Sequence, residues 1–308
     1  MRILQEQIRK KLKEKNAVLL AHYYQRPEIQ EIADLVGDSL ELARKASQAT
    51  QEVIVFAGVH FMAETSKILN PNKKVLIPDL DAGCSLADSC PMDEFLKFKN
   101  LYPEHLIVSY INSSAEIKAL SDYICTSANA VNVIKSIPEN RQIIFLPDKN
   151  LGNYLIRETG RNMLLWEGAC SVHETFSIEK LMQLVQHYPN AKILAHPECK
   201  RELLLLADFV GSTSGMLKWI QQDDHHTFLI GTEAGILHQM QLKVPQKTLI
   251  PIPAHEDNSC ACSECAYMKV NTLSKLLICL ETESPEIVLD PELSAKALIP
   301  IQRMLSIY

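Results

Sequence analysis

No run of apolar residues in this 308-residue chain approaches the ~20 that a membrane-spanning helix needs. Basic runs are absent too, and the net charge is -6 at pH 7 with a pI near 5.9. That balance argues against a surface built for nucleic acid or another polyanion. Tracts rich in Gly, Ser or Pro are missing, so the chain reads as ordered throughout. The opening stretch, MRILQEQIRKKLKEKN, is charged and amphipathic and lacks the apolar core of a signal peptide. Together these absences predict a soluble, cytoplasmic protein with no membrane and no nucleic-acid partner. What the chain does have is apolar material, 47% of its residues, enough for two or three cores of ordinary domain size.

It also has nine cysteines. A reducing compartment disfavours structural disulfides, so clustered thiols point to metal or redox chemistry. Cys90, Cys125, Cys199 and Cys279 are expected to be buried small hydrophobes instead.

One phrase occurs three times: AHYYQRPEIQEIADLVGDS from Ala21, SYINSSAEIKALSDYICTS from Ser109, and AHPECKRELLLLADFVGST from Ala195. The anchors His22, Tyr110 and His196 are spaced 88 and 86 residues apart. Two residues past each anchor stand Tyr24, Asn112 and Glu198; 17 residues past stand Ser39, Ser127 and Thr213. A period this long exceeds a solenoid repeat of ~20–50 residues and fits a small domain used three times. Short apolar runs (AVLLAH, EVIVFAG and VLIPD in the first copy) alternate with helix-like stretches, which predicts parallel sheets covered on both faces. The expected fold is α/β: three homologous αβα domains, with units at 1–88, 89–174 and 175–265. Residues 266–308 begin the pattern again and are expected to pack back on the first unit.

In such sheets, ligands bind beyond the carboxyl ends of the strands, where the anchors fall. The third apolar run of each unit leads into a cysteine loop: Cys84 in DAGCSLADSC, Cys170 in EGACSVHE, and a group in NSCACSECAYM. Cys84 and Cys170 lie 86 residues apart, matching the repeat, so these loops can converge on a pseudo-threefold axis. Three thiolates suit a zinc ion or a four-iron cluster with one open position. Paired CxxC knuckles and a ferredoxin-type run are both lacking, which leans toward the cluster. Ser39, Ser127, Ser212 and Thr213 precede helices, and as N-caps would aim free N–H groups at a small, multiply charged anion. His22 and His196 repeat in register, and His173 follows Cys170 closely. Glu198, as the one carboxylate at its repeat position, is expected to act as acid or base with a raised pKa. His105, His187, His225, His226 and His238 are read as ordinary structural histidines.

At this point AHYYQ, GVHFMAETSKIL, DAGCSLADSC, SYINSSAEIKALSD, CTSANA, PDKNLG, GACSVHE, AHPEC, GSTSGM, GTEAGIL and CAYMKVNTL, in this order, resemble the quinolinate synthase family from about Leu19 to Leu280. The resemblance implies three αβα domains in pseudo-threefold array around a 4Fe-4S cluster. It implies condensation of iminoaspartate with dihydroxyacetone phosphate to quinolinate, phosphate and two waters, downstream of L-aspartate oxidase. NAD is then the product of the pathway and not a cofactor. By the same resemblance Cys84, Cys170 and Cys265 are cluster ligands, with Cys260 and Cys262 close by; an alanine follows Cys265 where many relatives have proline. Tyr110, Asn112, Ser127, Ser212, Thr213 and His196 match contacts to carboxylates or phosphate. Ser39 matches a further polar contact, and His173 the histidine beside the second cysteine. His22, Tyr24 and Glu198 match residues of proton transfer; His196 is counted with them as catalytic. The reading from another class is a non-catalytic sensor of a small phosphorylated metabolite, stabilised by a metal or cluster.

Overall fold

The computed structural model describes residues 1–254 and 263–307. The described residues form three sheets of four parallel strands each. The first holds β1 (Ala17–His22), β2 (Leu35–Gly37), β3 (Val53–Ala57) and β4 (Lys74–Leu76). The second holds β5 (Leu106–Tyr110), β6 (Tyr123–Cys125), β7 (Ile143–Leu146) and β8 (Leu164–Leu165). The third holds β9 (Lys192–Ala195), β10 (Phe209–Val210), β11 (Thr227–Gly231) and β12 (Thr248–Pro251). All three share one order, with β2-β1-β3-β4 repeated as β6-β5-β7-β8 and β10-β9-β11-β12.

The apolar runs become the first, third and fourth strands of each sheet. Val53–Ala57 and Ile143–Leu146 are buried at every residue, because helices cover both faces and no solvent side remains to impose alternation. The second strand of each sheet goes beyond those runs; at two or three residues it is too short to announce itself by hydrophobicity. Its position is set by an aspartate 12 residues past each anchor. Asp34, Asp122 and Asp208 each accept a hydrogen bond from the backbone N–H of the neighbouring first strand (Leu19, Ile107 and Ile193) at 2.7–2.8 Å. Each aspartate returns its own N–H to the carbonyl of that same residue.

This strand order reverses direction between the first and third strands, and ligands collect beyond the carboxyl ends at such a switch point. His22 ends β1, Tyr110 ends β5 and His196 follows β9, so all three anchors stand there.

The first two sheets share one buried cluster, from Leu20 and Phe56 through Val108 and Phe145 to Ile301 and Met304. The third has its own clusters, one around Met216, Phe228 and Ile236 and another around Ile193, Leu203 and Leu229. Helix Leu273–Thr282 packs on helix Arg2–Glu14. The next segment runs antiparallel beside β4, with the Ile287 N–H donating to Val75 O at 2.8 Å. The last helix, Pro291–Ser306, lies on helix Ala115–Ala119 and on β6 of the second sheet. No described helix is long and apolar enough to cross a membrane.

Candidate active site

Strand-end loops from all three sheets line one cavity. Its walls include His22, Tyr24, Ser39, Tyr110, Asn112, Ser127, His173, His196, Glu198 and Thr213, together with Cys84, Cys170 and Cys265. Ser212 stands just outside, in a neighbouring cleft that shares Ser127 with the cavity. The five histidines read as structural are absent from the walls. Three of them, His187, His225 and His226, are exposed rather than in the core.

The two anchor histidines are held alike. The Tyr24 N–H donates to His22 Nδ1 at 3.2 Å, and the Glu198 N–H approaches His196 Nδ1 at 3.4 Å. Burial drives both imidazoles down to about 3, so they are neutral at ordinary pH, with Nδ1 accepting and the proton on Nε2. The 3.6 Å approach of Glu198 Oε1 to His196 Nδ1 is therefore not an ion pair at neutral pH.

Glu198 departs from expectation. Burial alone would raise it, but the nearby His173 and His196, with the hydrogen bond from Tyr110, bring it down to about 2. With His196 neutral, the durable contribution is hydrogen bonding: the Tyr110 hydroxyl donates to Oε1 at 2.6 Å. His173 Nδ1 lies 3.1 Å from Oε2, close enough for an ion pair though not aligned as a hydrogen bond. The carboxylate is thus ionised before any ligand arrives. Nearby Asp148 is its opposite: burial, then the charge of Glu198, push it far above the carboxylate range. Two buried carboxyls in contrary environments are thus held in opposite states, one charged and one neutral.

A chain of polar contacts crosses all three repeats. Tyr24 Oη lies 2.7 Å from Thr232 Oγ1, which lies 3.0 Å from His173 Nε2, and His173 leads to Glu198 and Tyr110. The Asn112 Oδ1 is buried with no partner among the described residues, an amide end left for a ligand.

The capping pattern differs from the expected one. In the first repeat the cap is Asp38, whose carboxylate accepts the N–H groups of Leu40 and Glu41, and Ser39 is already helical. In the second, Asn129 precedes helix Ala130–Ser136 without a side-chain cap, and Ser127 lies two residues earlier. In the third, Ser212 is the cap, accepting from the Gly215 N–H at 3.2 Å, while Thr213 opens the helix. A helix needs one cap, and the residue nearest its start takes the role; the repeated hydroxyls are left as side chains on the cavity wall.

The cysteines do follow the repeat. Cys84, Cys170 and Cys265 each immediately precede a one-turn helix, Ser85–Asp88, Ser171–Glu174 and Ala266–Lys269. The hydroxyls of Ser85 and Ser171, directly after two of them, lie 2.9 Å apart, so the two loops touch. All three thiols are free. Three thiols from equivalent loops, with helix N–H groups behind them, fit a cluster that needs three protein ligands. Cys170, His173 and Glu198 also have ligand atoms within 4.8 Å of one another. Cys260 and Cys262 lie outside the described residues. Cys90, Cys125, Cys199 and Cys279 are all buried.

Five residues escaped the sequence argument: Asp38, Asp148, Thr232, Glu233 and Lys269. Glu233 Oε1 accepts the Cys265 N–H at 3.0 Å and pairs with Lys269 Nζ at 3.0 Å, tying the third thiol loop to β11. The signal was the GTE that closes β11; the second unit carries a carboxylate at the matching place, Asp148 of FLPD, and the first carries none.

A family model described as quinolinate synthetase A protein (NadA) matches residues 6–306. The quinolinate synthases of Thermosynechococcus vestitus and Microcystis aeruginosa are 57% and 56% identical over 293 residues, 95% of this chain and 92% and 91% of theirs. That of Chloroherpeton thalassium is 55% identical over 302 residues, 98% of this chain and 94% of its own. Matched over nearly its whole length, and with its strand-end residues gathered in one cavity, the chain belongs to the quinolinate synthetase A (NadA) family.

Proposed function

We propose that this cavity is the active site of a quinolinate synthase, joining iminoaspartate to dihydroxyacetone phosphate with release of phosphate and two waters. The observation that carries the reading is that three thiols from equivalent loops share one cavity with two buried imidazoles and one buried carboxylate. Cys84, Cys170 and Cys265 hold a 4Fe-4S cluster. When bound there, the cluster would supply an iron able to act as a Lewis acid toward a substrate hydroxyl or carboxylate.

The remaining steps belong to the chain's own side chains. Asn112, Ser39, Ser127, Ser212 and Thr213 orient the carboxylates and phosphate, turning a bimolecular encounter into a positioned one. His22 and His196, protonated on Nε2 only, donate hydrogen bonds to anionic oxygens without adding charge. Glu198, ionised and bonded by Tyr110, takes the proton from the carbon that must become a nucleophile, and its Tyr110 and His173 neighbours hold the carboxylate in place. Tyr24, through Thr232, reaches His173 and forms a route for later proton transfers. The imine substrate requires a supplying reaction that oxidises aspartate, the role of an L-aspartate oxidase. On this reading the chain works in the cytoplasm and divides into units 1–88 with 266–308, 89–174 and 175–265.

The Cys170, His173 and Glu198 group favours one rival, a single zinc-like ion in a non-catalytic metabolite sensor. Anaerobic purification with metal analysis separates them. About four irons per chain and quinolinate formed from the two substrates support the synthase. One zinc per chain, with ligand binding and no turnover, overturns it.

A further inference from the structure

Behind the loop that carries Tyr110 and Asn112 sits a buried lysine. Lys118 has no solvent exposure. Its Nζ donates to Ser113 O at 2.6 Å and to Phe61 O at 3.2 Å, and stands 5.2 Å from the centre of the Phe61 ring. Ser113 directly follows Asn112 in the second repeat, whereas Phe61 belongs to the first and lines the cavity. An ammonium taken out of water is costly unless its protons and charge are met. Here two carbonyls and a π face meet the protons. Buried Glu64 offsets the charge, and it holds the same two elements together by accepting the Ala115 N–H at 3.0 Å.

The repeat shows that this is no accident of packing. Lys118 stands eight residues past its anchor, and the residue eight past His22 is Gln30, also buried. Gln30 Nε2 lies 2.7 Å from Gln25 O and 3.0 Å from Gly235 O. Gln25 and Ser113 each follow their anchor by three, and Phe61 and Gly235 are separated by two full repeats. The same tie is made twice: a side chain at one fixed position holds its own strand-end loop to the neighbouring unit. The third copy of the position is Leu204, which can make none.

We propose that Lys118 is a positioning residue for the condensation, fixing the Tyr110–Ser113 loop against the Phe61 turn so that Tyr110 and Asn112 meet the bound dicarboxylate at set spacing. Gln30 is its neutral counterpart at the seam between the first and third units. This rests on the synthase reading above.

The test compares Lys118→Met with Lys118→Gln, the side chain the first repeat uses. In the cluster-loaded protein, quinolinate binding is titrated alongside KM, kcat and iron content. Lys118→Met should keep its iron and bind quinolinate about tenfold more weakly, with KM rising more than kcat falls. Lys118→Gln should restore most of that loss. A folded Lys118→Met that binds like the parent overturns the proposal, and so does a folded Lys118→Gln that fails to rescue. If Lys118→Met does not fold, Lys118→Gln decides: near-parental binding supports the tie, weak binding removes it. A parent protein that makes no quinolinate would instead sink the synthase reading.

Discussion

At the end of β1, the Tyr24 N–H donates to His22 Nδ1; at the end of β9, the Glu198 N–H approaches His196 Nδ1 in the same way. Both imidazoles are buried and both are pushed down to about 3. The two loops differ in the side chain two residues past the histidine. Tyr24 offers a hydroxyl that bonds to Thr232, whereas Glu198 offers a carboxylate bonded by Tyr110. The repeat copies a backbone device that fixes a tautomer, and the residue two past the histidine sets which copy carries a carboxylate. The scaffold is shared; the chemistry is local.

That comparison holds only if both loops face one metal centre, and breaking the centre should have the largest effect. Cys84→Ser, Cys170→Ser and Cys265→Ser should each lose the iron and all activity, whereas Cys260→Ser should keep most of both. Iron content and turnover read this directly, and an iron-free Cys260→Ser would move the third ligand. Next comes the carboxylate itself. Glu198→Gln should retain iron and lose about 10²–10⁴ in kcat, the usual contribution of a positioned general base. Its counterpart should matter less: Tyr24→Phe removes one hydrogen bond to Thr232, worth roughly 1 kcal/mol and so about fivefold to tenfold in rate. Equal losses in the two variants would mean that the first and third loops share the proton transfers.

The smallest effect is on stability, and it concerns what the loops have in common. A histidine whose folded pKa is about 3, against an ordinary 6.5, binds fewer protons in the folded chain than in the unfolded one throughout that interval. Its stabilisation is complete above pH 6.5 and is lost as pH falls toward 3, by about 1.4 kcal/mol per pH unit for each imidazole. Glu198, held to about 2, adds to the loss only below 4.5. Denaturant midpoints of the cluster-free protein between pH 7 and 5 should fall in the parent and fall less in His22→Gln and His196→Gln. Parallel slopes would show that the two imidazoles are not held neutral.

Much of this was legible in one dimension. Nine apolar runs marked nine of the twelve described strands, since a strand buried on both faces must be apolar throughout. The remaining three were not, because two or three residues carry no periodic signal. Their positions depend on Asp34, Asp122 and Asp208, whose role appears only when each meets the backbone of an adjacent strand. The cavity residues were legible for another reason: their polar letters recur at fixed offsets from the strand ends, where ligands bind in parallel α/β sheets. Capping was misread because Asp38 and Ser39 are adjacent, and only the backbone geometry says which of them precedes the first helical turn.

The linear chain therefore determined the fold class, the threefold copying and the identity of the thiols, imidazoles and carboxylate on the cavity wall. The repeat spacing carried all of these except the third thiol, Cys265, which only the family resemblance picked out of its group of cysteines. Tertiary structure alone decided the protonation of Glu198, the tie made by Lys118 and the anchoring of Cys265 through Glu233. The first two depend on groups from different repeats and the third on residues 32 apart within one repeat, all brought within about 3 Å only by folding, and at that range hydrogen bonding and desolvation outweigh anything a residue's own neighbours in sequence can impose.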